Sequence, residues 1–585
     1  MKRKIITMML SAALCISMLA GCGKDTGTEA NSGGNGGTEA DSGQSIAADD
    51  SMEAAGLPED DPSVNVVFDT WMYADEYKHY TSYEENPVVE YLNNKFNVTM
   101  EYQLPAMGSE AENLNLMLGT GDYTDIMNTT YSSESLQSLY ENGVIIDIAP
   151  YLEKYMPNYY ALLQSSDELR KMVYDDEGHA FGLYTIEDME RNQWGGLVYR
   201  RDILETMTGG NIAFPSGNEH PVTVEDWDYM LPLMKTYFDA AGMMGSACII
   251  VPACGYIVTG ELVGGFGAGG SFQMGKDGKT VEYGPATEEF FNYVSKMKEW
   301  YEAGYVYQDF ASRTNDLFYL PNTSLTYGGA AGIWFGLLEQ NGTIMSMPEY
   351  NLNMEVCAIT APLDQEHGIT EEDAGFYIFN GVATDPFCIT STCDESKLAR
   401  IFTVMDYLYS EEGAKLRSIG LTEEQAADST LYQEAGLSEG YYYYNENGEF
   451  CLNEKIINAD ANGLKQFSFQ GGRLPGASYA AGRAANTERT ENDEYQDIAG
   501  EVWVTYGRSC VYPGGATMDG EESNSYNSSI TSITDYVNTM IPKFIMGTEE
   551  LSEETWQKFV DQLYALGLDK PLAAKQSAFE RYLAR

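Results

Sequence analysis

Few residues in this chain stand where covalent chemistry could be done. The first is Cys22, behind Leu19-Ala20-Gly21, a basic start (Lys2, Arg3, Lys4) and an apolar run from Ile5 to Leu19. A basic start, a short greasy core and small residues before a cut describe a secretory signal peptide over residues 1–21. The run is shorter than the ~20 apolar residues of a spanning helix. A thiol left at that cut can carry a diacylglycerol thioether. The four histidines, His79, His179, His220 and His367, show no metal-ligand spacing. No HExxH, GxSxG elbow or GxxxxGK[ST] phosphate loop occurs. A carboxylate pair stays open, because the ~5–5.5 Å separation of a retaining glycosidase is not written in sequence. A calcium loop needs alternating oxygen ligands, a glycine and a distal glutamate. None traces cleanly, so structural calcium stays open and no cofactor is assigned.

Recognition without bond-making is better supplied. Trp71, Trp194 and Trp334 can stack on sugar rings, and Tyr73, Thr130, Tyr131, Ser132, Tyr199 and Arg473 can hydrogen-bond hydroxyls. Aromatic faces with a polar tip serve this use, and they equally fill cores. Trp227, Trp300 and Trp556 fall on helical stretches and are assigned to structure.

The chain has 585 residues and a formal charge of -55; losing residues 1–21 removes three positive charges and no acidic ones, leaving -58. That excludes nucleic acid, whose phosphates need basic surface. It also disfavours anionic polymers, although one local basic pocket can still hold an acid group. Its plain consequence is solubility and mutual repulsion, and a monomer is expected. After Cys15 leaves and Cys22 is acylated, Cys248, Cys254, Cys357, Cys388, Cys393, Cys451 and Cys510 remain, an odd number with no CxxC. Cys248–Cys254 and Cys388–Cys393 have the spacing to close small loops. Most read as small buried hydrophobes.

The elements that must position the recognition residues follow in order. Residues 22–63 are Gly, Ser, Asp, Glu and Ala with almost no large apolar side chain, a flexible tether. It would hold the folded part roughly 35 Å from an anchor. Val64–Phe68 reads as a strand, Asn86-Pro87 as a helix start, Asn97–Tyr102 as a strand, Leu114–Leu118 as helix and Asp125–Met127 as strand. Alternation at this pitch predicts βαβ units in a mainly parallel sheet. Ligands sit beyond the carboxyl ends of such strands, which places Trp71 and Tyr131 at one edge. Gly265–Gly270 satisfies GxGxxG, but no helix starts on it, so it reads as a glycine loop. Tyr441–Tyr444 before Asn445-Glu446-Asn447-Gly448 predicts a hairpin.

Leu19-Ala20-Gly21-Cys22 resembles the lipobox of bacterial lipoproteins. Asn115 to Ile126, with Gly119-Thr120-Gly121-Asp122-Tyr123-Thr124-Asp125-Ile126, resembles the small-Gly-Asp-x-Pro-Asp-Ile stretch of extracellular solute-binding proteins of ABC importers, with Thr124 in place of proline. Val144–Leu152, Gly178–Tyr184, Leu197–Leu204, Thr223–Trp227, Phe544–Gly547 and Trp556–Leu568 resemble later segments of family 1, the carbohydrate-binding lipoproteins. The resemblance runs in order over residues 64–585. It implies an α/β, two-lobed periplasmic-binding-protein-like fold (type II), its lobes joined by hinge strands near Leu183–Glu187 and Thr384–Ile389. Lobe 1 would hold residues 64–184 plus about 386–480, and lobe 2 residues 185–385 plus about 481–585. It further implies a receptor lipid-anchored through Cys22 on the extracytoplasmic face of the cell membrane, passing an oligosaccharide or other small solute to ABC importer membrane subunits without catalysis. A polysaccharide-acting lipoprotein enzyme and a binder of peptides are the alternatives.

Overall fold

The structure is a computed structural model that describes residues 56–73, 82–106, 108–186, 195–243, 245–250, 262–312, 328–337, 354–375, 383–434, 440–448, 450–453, 474–479, 491–503, 506 and 511–585. In chain order its longer-range strands are β1 (Val66–Trp71), β2 (Val98–Gln103), β3 (Ile126–Asn128), β4 (Leu183–Ile186), β5 (Gly195–Arg200), β6 (Ala247–Ile250), β7 (Phe272–Met274), β8 (Val281–Tyr283), β9 (Ala331–Leu337), β10 (Val356–Ala358) and β11 (Ala383–Ile389).

Local sequence sets the first βαβ units. Asn86 caps the helix Pro87–Phe96 by accepting the Val88 amide, with Pro87 in its first turn. The helix Glu110–Thr120 stops at Gly121 with φ 73°, a left-handed C-cap. β1 therefore pairs parallel with both β2 and β3. The sheet runs β2-β1-β3-β11-β4, and β11 is antiparallel to both its neighbours. A strand from some 200 residues beyond β4 is thus inserted between β3 and β4 in the first lobe, which is the expected two-lobed arrangement.

Strand alternation gives this sheet two cores. Phe68, Met72, Ile126, Phe387 and Ile389 join one cluster with Val88, Leu92, Leu152 and Phe402. Trp71, Met127 and Cys388 join another with Leu114, Met117 and Leu139. The second lobe is built on β10-β5-β9-β6, with β5 antiparallel to β10 and β9 and β6 parallel to β9. Its core spans Leu197 to Ala374 and returns with Tyr495 to Phe579. Ile186, Ala383 and Ala477 belong to lobe 1, and Gly195, Ala374 and Tyr495 belong to lobe 2, so the chain changes lobe three times.

Several expectations are corrected in detail. Packing starts at Leu57 rather than near residue 64, because Leu57 donates its amide to the Tyr155 hydroxyl and Asp60 pairs with Arg400. β4 extends to Ile186 and β11 begins at Ala383, so lobe 1 keeps two or three residues assigned to lobe 2 at each crossing. Cys388 and Cys393 are free, as are Cys248 and Cys357; Cys254 and Cys510 lie outside the described residues. The glycine loop has a steric cause: a Cβ at Gly264 would stand 1.8 Å from the Gly375 carbonyl oxygen. Its start lies in a short 3₁₀ turn, Val263–Phe266, and a β7–β8 hairpin follows it in place of an α-helix. The tyrosine hairpin forms as expected, with Tyr442–Tyr444 pairing antiparallel to Phe450–Leu452. Among the described residues no helix is long and apolar enough to cross a membrane.

Candidate functional site

β1 and β3 are parallel, so their carboxyl ends reach one edge of lobe 1, and antiparallel β11 begins at that same edge. Past β3 the chain turns on itself. Asn128 Oδ1 accepts the Thr130 amide at 3.0 Å, and Thr129 donates its amide and hydroxyl to the Pro386 carbonyl at 3.0 and 3.3 Å. Ser132 donates its amide to the Thr129 carbonyl at 2.9 Å, and its Oγ accepts the Glu134 amide at 3.0 Å. The loop is thereby pinned to β11. Tyr131, 41% exposed, meets Tyr73 edge to face with ring centroids 5.8 Å apart. Thr130 donates its hydroxyl to Asp385 Oδ1 at 3.2 Å. Tyr73, Thr130, Tyr131 and Ser132, four of the residues named from sequence, are brought together here.

Three others are not. Trp71 is 2% exposed and belongs to the second core of lobe 1, its Nε1–H donating to Asn113 Oδ1 at 2.7 Å. The cause is that β1 runs through Trp71, and alternation turns the indole under the helix Glu110–Thr120. Trp334, also 2% exposed, sits mid-strand on β9 between Val198 and Ile250. Tyr199 is fully buried on β5, and its hydroxyl lies 3.1 Å from His220 Nδ1. Burial pushes the Tyr199 phenol up, and burial with the nearby Arg201 charge pushes the His220 ring down. Every residue of β5 is buried, so the sheet is covered on both faces along this strand. Trp194, Arg473 and Cys22 lie outside the described residues. Trp227, Trp300 and Trp556 are buried, the first two stacked at 5.6 Å.

Sequence reasoning missed Asn128, Thr129 and Asp385. The hydroxyl of Thr70 and the amide nitrogen Nδ2 of Asn128 are buried at this edge without a hydrogen-bond partner. Beneath them burial pushes the Cys388 thiol up to about 12, so it stays protonated. Thr124, which replaces the proline of the resembled motif, also has a use: its Oγ1 accepts the Trp71 amide and donates to the Ile126 carbonyl, tying β1 to β3. Among the described residues no group of three or more His, Cys, Asp or Glu is arranged to hold a metal. His179 and His367 instead face local carboxylates, Asp175 at 3.0 Å and Asp364 at 2.7 Å. What gathers at the lobe 1 edge is a set of hydroxyls, an amide, a carboxylate and two phenol rings. Such a set recognises by hydrogen bonding and stacking.

No family model matches the sequence, and no curated protein matches it. Solved structures share the fold. An extracellular solute-binding protein from Bifidobacterium longum subsp. infantis is 13% identical, covers 90% of this chain and 100% of its own, and superimposes with a TM-score of 0.68. An HMO-binding ABC-transporter-associated solute-binding protein from Bifidobacterium longum infantis is 14% identical, with 88% and 99% covered and a TM-score of 0.66. The S. pneumoniae ABC-transporter substrate-binding protein FusA, as an EF-hand mutant in complex with fructo-nystose, is 18% identical, with 88% and 99% covered and a TM-score of 0.64. At these identities the likeness establishes the fold.

Proposed function

We propose that this chain is a solute-binding receptor that captures an oligosaccharide between its two lobes and delivers it, chemically unchanged, to an ABC importer. The observation that carries the reading is the pinned edge of lobe 1, where Tyr73, Tyr131, Thr130 and Asp385 converge beside two of the crossings between lobes. Support comes from proteins with this fold, which include an HMO-binding protein and one in complex with fructo-nystose. Ligand must bind the closed arrangement better than the open one for capture to shift the population. Lipidation of Cys22, with residues 23–56 as tether on the extracytoplasmic face, completes the proposal and rests on the sequence signature alone.

Calorimetry against a glycan and peptide panel, with chromatography of each glycan afterwards, tests it. Glycan binding without turnover is the expected result. Turnover would favour a polysaccharide-acting enzyme, and affinity for peptides alone a peptide receptor. The anchor has its own test: in a lipoprotein-processing bacterial host, mass spectrometry should find acyl chains on the wild-type N-terminal peptide and none on Cys22→Ser.

A further inference from the structure

Two non-glycine residues among those described have positive φ, Asn97 at 50° and Asp385 at 49°. Asn97 is a helix C-cap, where this conformation is ordinary. Asp385 has no such setting. It lies inside β11 and directly precedes Pro386, whose ring restricts the backbone of the residue before it. The pairing of β11 with β4 shifts register between Thr384 and Phe387, so the strand bulges at this residue. Such a conformation is unfavourable and persists only where its surroundings hold it. Here Thr129 grips the Pro386 carbonyl with two hydrogen bonds.

The bulge turns the Asp385 carboxylate away from the sheet and toward the exposed loop after β3. Oδ1 accepts the Thr130 hydroxyl at 3.2 Å, and among the described residues none donates a hydrogen bond to Oδ2. The half-buried carboxylate therefore offers an acceptor next to the Thr130–Tyr131 stretch, whose Tyr131 ring meets Tyr73. A carboxylate only accepts, so its complement is a donor that brings no negative charge.

We propose that Asp385 is a specificity residue of the receptor: it accepts hydroxyl hydrogens of a neutral sugar and repels acidic sugars from the subsite it shares with Thr130, Tyr131 and Tyr73. The assignment rests on the oligosaccharide-receptor reading. The strained backbone is what aims the carboxylate, which explains why the bulge stands at a crossing between lobes.

The test is calorimetry of the wild-type protein, Asp385→Asn and Asp385→Gly against a neutral set (kestose, maltotriose, cellotriose, mannotriose, lacto-N-tetraose) and an acidic set (tri-mannuronate, tri-galacturonate). Asn keeps the shape and tolerates left-handed backbone, and Gly favours it, so both should fold. Wild type is expected to bind a member of the neutral set and neither uronate. Both variants should lose about tenfold or more in affinity for that sugar, the size of a lost hydrogen bond to a charged group. Variants within twofold of wild type, or a uronate bound by wild type as tightly as the neutral sugar, would overturn the assignment while leaving the receptor reading intact. No heat from wild type with either set overturns both.

Discussion

Arg400 and Asp60 stand 340 positions apart in sequence and meet as a bidentate pair, Nε to Oδ2 at 2.7 Å and Nη2 to Oδ1 at 2.9 Å. Arg400 is 2% exposed, and its guanidinium also donates to the carbonyls of Asp61, Val64, Phe96 and Asn97. Arg400 thus fastens the segment ahead of β1 onto lobe 1. Replacing it by Leu leaves Asp60 unpaired and takes a donor from four carbonyls, and should cost about 3–5 kcal/mol in urea unfolding. Lys, with a point charge in place of the fork, should rescue little of this. A chain starting at Leu57 should match the full chain in stability, and one starting at Val64 should fall below it. Equal midpoints for the two truncations would remove Arg400 from this role.

A second fastening joins the lobes. Asp176, in the turn after the lobe 1 helix Asp167–Val173, pairs with both Arg581 and Arg585 at the end of the helix Asp569–Ala584 of lobe 2. Arg585 also donates to the carbonyls of Lys171 and Tyr174 at 2.9 and 2.7 Å, covering the open end of the lobe 1 helix. Asp176→Asn removes the shared anion while Arg581 keeps Glu522. The expected loss is about 1–3 kcal/mol. Amide hydrogen exchange should quicken in the last turns of the helix Asp569–Ala584. Unchanged exchange there would show that the clasp does not hold the two lobes.

Asp226 sits at the start of the helix Val224–Ala241 and closes a capping box with Thr223. Burial alone would push its carboxyl up, yet amides of Ser216, Val222 and Thr223 donate to it and the net effect is downward. A carboxyl held below its unfolded value stabilises the fold above about pH 4, and that contribution fades as pH falls through the folded value. Asp226→Asn should therefore be less stable than wild type at pH 7, and the gap should narrow as pH falls below about 4. A gap that stays constant down to pH 2.5 would mean the charge contributes nothing.

How far sequence reached depends on whether the signal was local. Asn86-Pro87, Gly121 and Thr223 each mark a helix end through bonds made within a few residues, and the first is read directly as a helix start. The insertion of β11 between β3 and β4 depends on pairing across more than 200 residues, which no local pattern carries. Tyr73, Thr130, Tyr131 and Ser132 come together because they follow strands that end at one edge of lobe 1. Trp71, Tyr199 and Trp334 mislead because each lies within a strand and points into a core, so an aromatic near a strand end does not by itself mark a ligand surface. Asp385 leaves only an Asp-Pro pair in the sequence. Its strained backbone appears once β11 is seen to bulge.

Trp334 and Tyr131 separate core from ligand surface in one experiment. From sequence alone, Trp334→Ala would weaken ligand binding and leave the fold intact. With the indole 2% exposed among Val198, Ile250 and their neighbours, truncation should instead open a cavity and cost about 3–5 kcal/mol of stability. Tyr131 is 41% exposed and packs on one edge against Tyr73. Tyr131→Ala should leave the unfolding midpoint within about 0.5 kcal/mol of wild type, as surface changes usually do. It should weaken oligosaccharide affinity by about 1–3 kcal/mol, by analogy with loss of a stacked ring. Chemical unfolding and calorimetry on the two variants read both quantities. A Trp334→Ala protein as stable as wild type but unable to bind would return that residue to the site, and a Tyr131→Ala protein with full affinity would take Tyr131 out of it.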